Sequence, residues 1–130
     1  MVSWRSEALQ KPVNIAEVLA QYGSNCPALD GAVVATHDGL VLGATESFMG
    51  DTPAAAAASL GVHLEQDLAL LIPAQLQECL VWAQPGVWYL CRLPHEHLLL
   101  ARAQSDAQAG ALRLAGQIAA QQLAPMLSDA

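Results

Sequence analysis

The segment Gly31-Ala-Val-Val-Ala-Thr-His-Asp-Gly-Leu-Val-Leu-Gly43 constrains the fold more than any other part of the chain. Two apolar runs meet at Asp38-Gly39, and a Gly at the second turn position tolerates the positive φ that a twisted hairpin needs. A strand, a tight turn and a second strand are therefore predicted early. A later segment, residues 98–114, reads as a strand that stops at Gln104-Ser105 and hands over to a helix from Asp106. Neither segment carries groups that chemistry requires, which points to a binding protein rather than an enzyme.

The rest of the chain falls into place around these two segments. Residues 13–22 form a helix after Pro12, with Ile15, Val18, Leu19 and Tyr22 on one face. Strands are predicted over 29–37 and 40–46. A long helix follows over 54–72, capped by Asp51 or Thr52, opened by Pro53 and ended by Pro73. Strands over 76–83, 87–93 and 97–103 and a helix over 106–123 complete the order α-β-β-α-β-β-β-α. The strands AVVA, LVLG, CLVWA, VWYLC and LLLA are continuous apolar runs rather than alternating ones. Both faces of the sheet are then covered, and three helices do this with one on one side and two on the other. The fold class is α/β (α+β), a five-stranded antiparallel sheet sandwiched between helices. Residues 13–124 make up the domain, with an extension over 1–12 and a tail over 125–130.

The long helix is apolar on two sides. Ala57, Leu60, Leu64, Leu68 and Leu71 form one stripe, expected to face the chain's own sheet. Ala55, Ala58, Val62, Ala69 and Ile72 form a second, mostly small stripe, which lets another backbone approach closely. A helix with two apolar stripes is buried on two sides, by another helix of the domain or by the same helix of a second copy across a two-fold axis. Self-association is the preferred reading. Low charge favours it as well: 13% of residues are charged against 54% hydrophobic, too few to cover a large free surface. The third strand, with Gln75, Gln77 and Glu78 at its start and no Lys or Pro inside, is left open to pairing.

A net charge of −7 with one Lys and four Arg disfavours nucleic acid, which needs clustered cations. No apolar run reaches ~18 residues, so no membrane span is expected. The first residues lack an apolar signal core, and a cytoplasmic setting is expected. Heavy Ala and Gln use with a single Lys points to a GC-rich bacterial genome.

Candidate chemistry is thin. His95-Glu96-His97 offers two ligands and a carboxylate but no third His or Cys close in sequence, so a polar turn is the simpler reading. His63 either titrates at a dimer seam or makes a helix-surface hydrogen bond. Centring the Gln84-Pro85-Gly86 turn on Pro85 sets Cys79 opposite Cys91; a disulfide there competes with two packed thiols, which a cytoplasmic setting favours. Trp82, Trp88 and Tyr89 cluster either in the core or as an aromatic hot spot on a partner-facing edge. There is no G-x-S-x-G, and Gly39…Gly43 lacks the Lys-Ser/Thr of a phosphate loop. No catalytic, cofactor-binding or metal residue is assigned, and no cofactor is expected.

The segment Gly31–Gly43, the Ala-rich helix after Asp51 and the stretch Leu99–Ile118 together resemble the roadblock family of dynein light chains and their bacterial relatives, over residues 13–124. The resemblance implies a dimer with the middle helices paired and the third strands joined edge to edge. It also implies a Ras-like small GTPase as partner, with the roadblock protein promoting nucleotide hydrolysis without an arginine finger, or acting as a scaffold. Ala55, Ala58, Ser59, Val62, Gln66, Ala69, Gln77, Cys79 and Val81 are assigned to the dimer interface. Glu65, Asp67 and Glu78 are assigned to the partner surface, while Arg92, Arg102 and Arg113 are expected to make structural hydrogen bonds. The alternatives are a small-molecule sensor of profilin- or PAS-like layout and a scaffold without a GTPase.

Overall fold

Helix α1 (Ile15–Asn25) ends three residues later than the expected 13–22 and starts two later, because Asn14 caps it: the Asn14 side chain accepts the Glu17 N–H and Glu17 Oε1 accepts the Val13 N–H. Val18, Leu19 and Tyr22 are its buried face, as their spacing predicts. The computed structural model describes residues 11–127. Of the expected extension and tail, residues 1–10 and 128–130 lie outside the described residues.

Strands β1 (Leu29–Ala35) and β2 (Val41–Ala44) form the expected hairpin, and Gly39 has a φ of 92°. Both strands are shorter than expected: Thr36 to Leu40 is spent on the turn, closed by Thr36 N–H on Leu40 O and Gly39 N–H on Thr36 O, and β2 stops at Ala44 because a short 3-10 turn over Glu46–Phe48 follows. Helix α2 (Asp51–Ala69) starts and stops three residues earlier than the predicted 54–72. After Ala69 only one loose turn remains, in which the Leu71 and Ile72 N–H groups both reach Leu68 O. Pro73 disfavours helical backbone at the residue before it. Strands β3 (Glu78–Trp82), β4 (Val87–Arg92) and β5 (Leu98–Ala103) follow. Ser105 caps a short turn with its side chain on the Ala107 N–H, and α3 (Ala109–Leu123) completes the order.

The sheet order is β2-β1-β5-β4-β3, antiparallel throughout, so β3 and β2 are its edges. Helices α1 and α3 pack on one another and cover one face; α2 covers the other through β1 and β5. The two-plus-one layering expected from the continuous apolar strands is what the chain adopts.

Two expectations fail. Ala83 and Gly86 exchange hydrogen bonds, so the β3–β4 turn is centred between Gln84 and Pro85. Glu78 then lies opposite Cys91 and Cys79 opposite Leu90. One residue of register moves a side chain to the other face. Cys91 lies in the α1/α3 core and Cys79 packs on the α2 side; all three cysteines are free. The same alternation splits the aromatic group: Tyr89 is buried on the α1/α3 side, Trp88 packs near Phe48 on the α2 side, and Trp82 is exposed.

The second failure is the long helix. Its sheet-facing row is Ala54, Ala57, Ala58 and Gly61, not the leucines. A Cβ on Gly61 would stand 3.2 Å from Leu98, so small residues are what let the helix lie this close. Of the expected inner stripe, Leu60 and Leu64 are half-buried, while Leu68 and Leu71 are 46% and 83% exposed.

Candidate interaction face

Among the described residues, exposed large apolar side chains gather on the outer side and C-terminal end of α2, beside edge strand β3, and also at the opposite edge, on Leu40, Val41 and Leu42; the α2 side is the one that carries the expected interface residues. Val62 is 43% exposed and Ile72 71%, in line with Leu68 and Leu71. Ala55, Ser59, Gln66 and Ala69 are exposed along the same helix. Ala58 is buried against the chain's own sheet, because it follows Ala57 on the inner row. On β3, Gln77 and Val81 are exposed and Cys79 is half-buried. Since α2 sits over β1 and β5, the α2-side surface of the sheet beyond them, toward β3, is left partly open. Sequence reasoning missed Leu68 and Leu71 as members of this surface. A helical wheel shows which residues share a side, not which side a sheet will meet.

Polar groups frame this surface. Ser59 O lies 2.7 Å from His63 Nδ1, and a carbonyl oxygen only accepts, so Nδ1 carries the proton. His63 thus makes the helix-surface bond foreseen for it. Glu65 Oε2 accepts the Leu76 N–H (2.8 Å) and an Arg92 N–H (3.2 Å), and Arg92 also reaches Glu96 at 3.3 Å. Glu65, Arg92, Glu96 and His37 line a cavity of about 60 Å³ with Gly61, Val62, Leu76 and Leu98. That volume suits water, not a cofactor.

Glu78 sits at the other side of β3. Its carboxylate accepts Arg113 Nη2 (2.6 Å), Arg113 Nε (3.1 Å), the Tyr89 hydroxyl (2.8 Å) and Gln117 Nε2 (3.5 Å). The Arg113 guanidinium, then the Tyr89 hydroxyl, hold it down at about 2. Of the three expected partner contacts, Glu65 and Glu78 are therefore engaged within the chain, while Asp67 is exposed on α2.

Arg92, Arg102 and Arg113 make structural contacts, as expected. Arg92 joins Glu65 and Glu96; Arg113 joins Glu78; Arg102 bonds Asp30 at 2.7 Å and lies over the Trp88 ring at 5.7 Å. Burial pushes the Cys91 thiol up to about 12, so it is not a nucleophile at neutral pH. Among the described residues no group of three His, Cys, Asp or Glu is placed to hold a metal. The His95 and His97 rings are 6.2 Å apart, in a turn whose His95 has a φ of 63°. No helix among the described residues is long and apolar enough to cross a membrane.

The fold is that of the roadblock domain. A roadblock/LC7 domain from Streptomyces avermitilis superposes with a TM-score of 0.78 at 16% identity, covering 87% of this chain and 97% of that one. A tetrameric MglB superposes at 0.76 with 25% identity, covering 86% of each chain. The gliding protein MglB from Thermus thermophilus does so at 0.75 with 23% identity, over 89% of this chain and 90% of that one. No family model matches the sequence, and no curated protein matches it either.

Proposed function

We propose that this chain is a non-enzymatic, dimeric regulator or scaffold that binds a Ras-like small GTPase and modulates its nucleotide cycle in a bacterial cytoplasm. The observation that carries the reading is the coincidence of a roadblock fold with an apolar face on α2, beside the open β3 edge, that the chain leaves uncovered. A second copy covers that face: its α2 lies against Ala55, Ser59, Val62, Gln66 and Ala69, with Ala58 beneath, and its β3 pairs along Gln77, Cys79 and Val81. The kind of role, regulation of a small GTPase, is what the roadblock resemblance implies, and the likeness in fold to MglB structures, one of them a gliding protein, is in keeping with it.

The chain supplies position rather than chemistry. Arg92, Arg102 and Arg113 are all committed to carboxylates, so none is offered as an arginine finger. Asp67 at the rim of the helix attracts a basic patch on the GTPase, and such rim charges act chiefly on the association rate. Glu65 and Glu78 contribute to that acidic field while remaining tied to their arginines. Capture of a small GTPase from the same genome, loaded with GDP or GTP, on immobilised protein tests the reading. Binding in one nucleotide state supports it; binding in neither returns the chain to the sensor alternative.

A further inference from the structure

The start of β3 is braced from both layers of the domain by the two carboxylates that sequence reasoning placed on the partner surface. From α2, Glu65 holds the Leu76 N–H at 2.8 Å and Arg92 at 3.2 Å. From β4, the Arg92 N–H donates to Gln77 O at 2.8 Å. From α3, Arg113 and Gln117 converge on Glu78, joined by the Tyr89 hydroxyl from β4. Three successive residues, Leu76, Gln77 and Glu78, are thus fixed by three different elements. The strand they open has a neighbour on one side only.

We infer that Glu65 and Glu78 are positioning residues that hold the free edge of β3 in an extended, pairing-ready conformation for the β3 of a second copy. The inference rests on the self-association proposed above. A strand that is already ordered loses little conformational freedom on pairing, whereas a loose one must be ordered at the moment of binding. An edge strand held only by β4 would fray from its start, where residues 70–77 connect it to α2 without regular structure. Glu65 ties that connection to the helix and Glu78 ties the first strand residue to α3. The two act on opposite faces of the same strand end, so neither substitutes for the other.

The test uses the full chain with Glu65→Ala, Glu78→Ala, Arg113→Glu and the exchanged pair Glu78→Arg/Arg113→Glu. Dimer dissociation constants come from sedimentation over a concentration series. Amide exchange is read by mass spectrometry at a concentration where the wild type is monomeric. The dimer constant is expected to weaken about tenfold or more in each single variant, as loss of preorganisation predicts. Amides of 76–82 should exchange faster while those of β1 and β5 keep their protection, and the exchanged pair should regain most of both. A dimer constant within about twofold of wild type, or faster exchange spread evenly over the sheet as in simple loss of stability, overturns the inference. Should Glu78→Ala fail to fold, Glu78→Gln keeps the shape and an acceptor oxygen without the charge, and is held to the same outcomes. A wild type that stays monomeric at every concentration defeats the self-association reading; the exchange data on the monomer still decide whether the two carboxylates brace the strand.

Discussion

The two faces of the sheet are finished to different degrees. On the α1/α3 side two helices pack on one another and bury large side chains: Tyr22, Tyr89, Leu112 and Leu123 are fully enclosed, and the Tyr22 hydroxyl donates to Leu112 O at 2.8 Å. Even Gly116 is closed in, since a Cβ there would stand 2.5 Å from the Tyr89 ring. On the α2 side one helix lies close on small residues and leaves Val62, Leu68, Leu71 and Ile72 in solvent. Both sides are apolar, so hydrophobicity does not distinguish them. What does is whether the chain supplies enough helix to cover the surface: the first side stabilises the monomer, and the second invites association.

Substitutions on each side should therefore separate stability from assembly. The largest effect is expected on the closed side, where Leu112→Ala leaves a cavity beside Tyr22 and costs ~2–5 kcal/mol of unfolding free energy, read by urea denaturation. A value near zero would mean that this side repacks freely and the comparison fails. Val62→Arg, on the open side, should change monomer stability by only about 0.5 kcal/mol but abolish the dimer in sedimentation, because it strands a charge in an apolar seam. A dimer that survives it would move the association surface away from α2.

Smaller effects sharpen the contrast. Glu78 has its folded-state pKa lowered to about 2 from an ordinary 4.5. Its contribution is fully present above about 4.5 and is lost as pH falls toward 2. Acid unfolding of Glu78→Gln should show a correspondingly flatter pH dependence over that window, and identical profiles for the two proteins would remove Glu78 from the list of stabilising groups. The smallest effect belongs to Asp67→Asn, which should leave folding and dimerisation unchanged. It should slow association with a GTPase by a factor of about 2 at low salt, with the difference vanishing as salt rises over a screening length of ~8 Å. A salt-independent deficit would make Asp67 a direct contact instead of a rim charge.

The sequence alone determined the order of elements, the hairpin at Asp38-Gly39 and the double coverage of the sheet. All of these follow from local propensity, turn chemistry and the absence of alternation in the strands, which a chain carries residue by residue. The tertiary structure decided the rest. Whether Cys79 meets Cys91 depended on the β3–β4 turn centring half a residue earlier than Pro85, and a shift of that size leaves no trace in hydrophobic pattern. Which stripe of α2 met the sheet depended on how closely the helix could approach Leu98, and close approach selected Ala54, Ala57 and Gly61 over the leucines. Glu65 and Glu78 looked like solvated acids in the sequence, because their partners Arg92 and Arg113 are 27 and 35 residues away. Periodicity reports neighbours along one element; register, approach distance and ion pairing between elements are settled only when the layers come together.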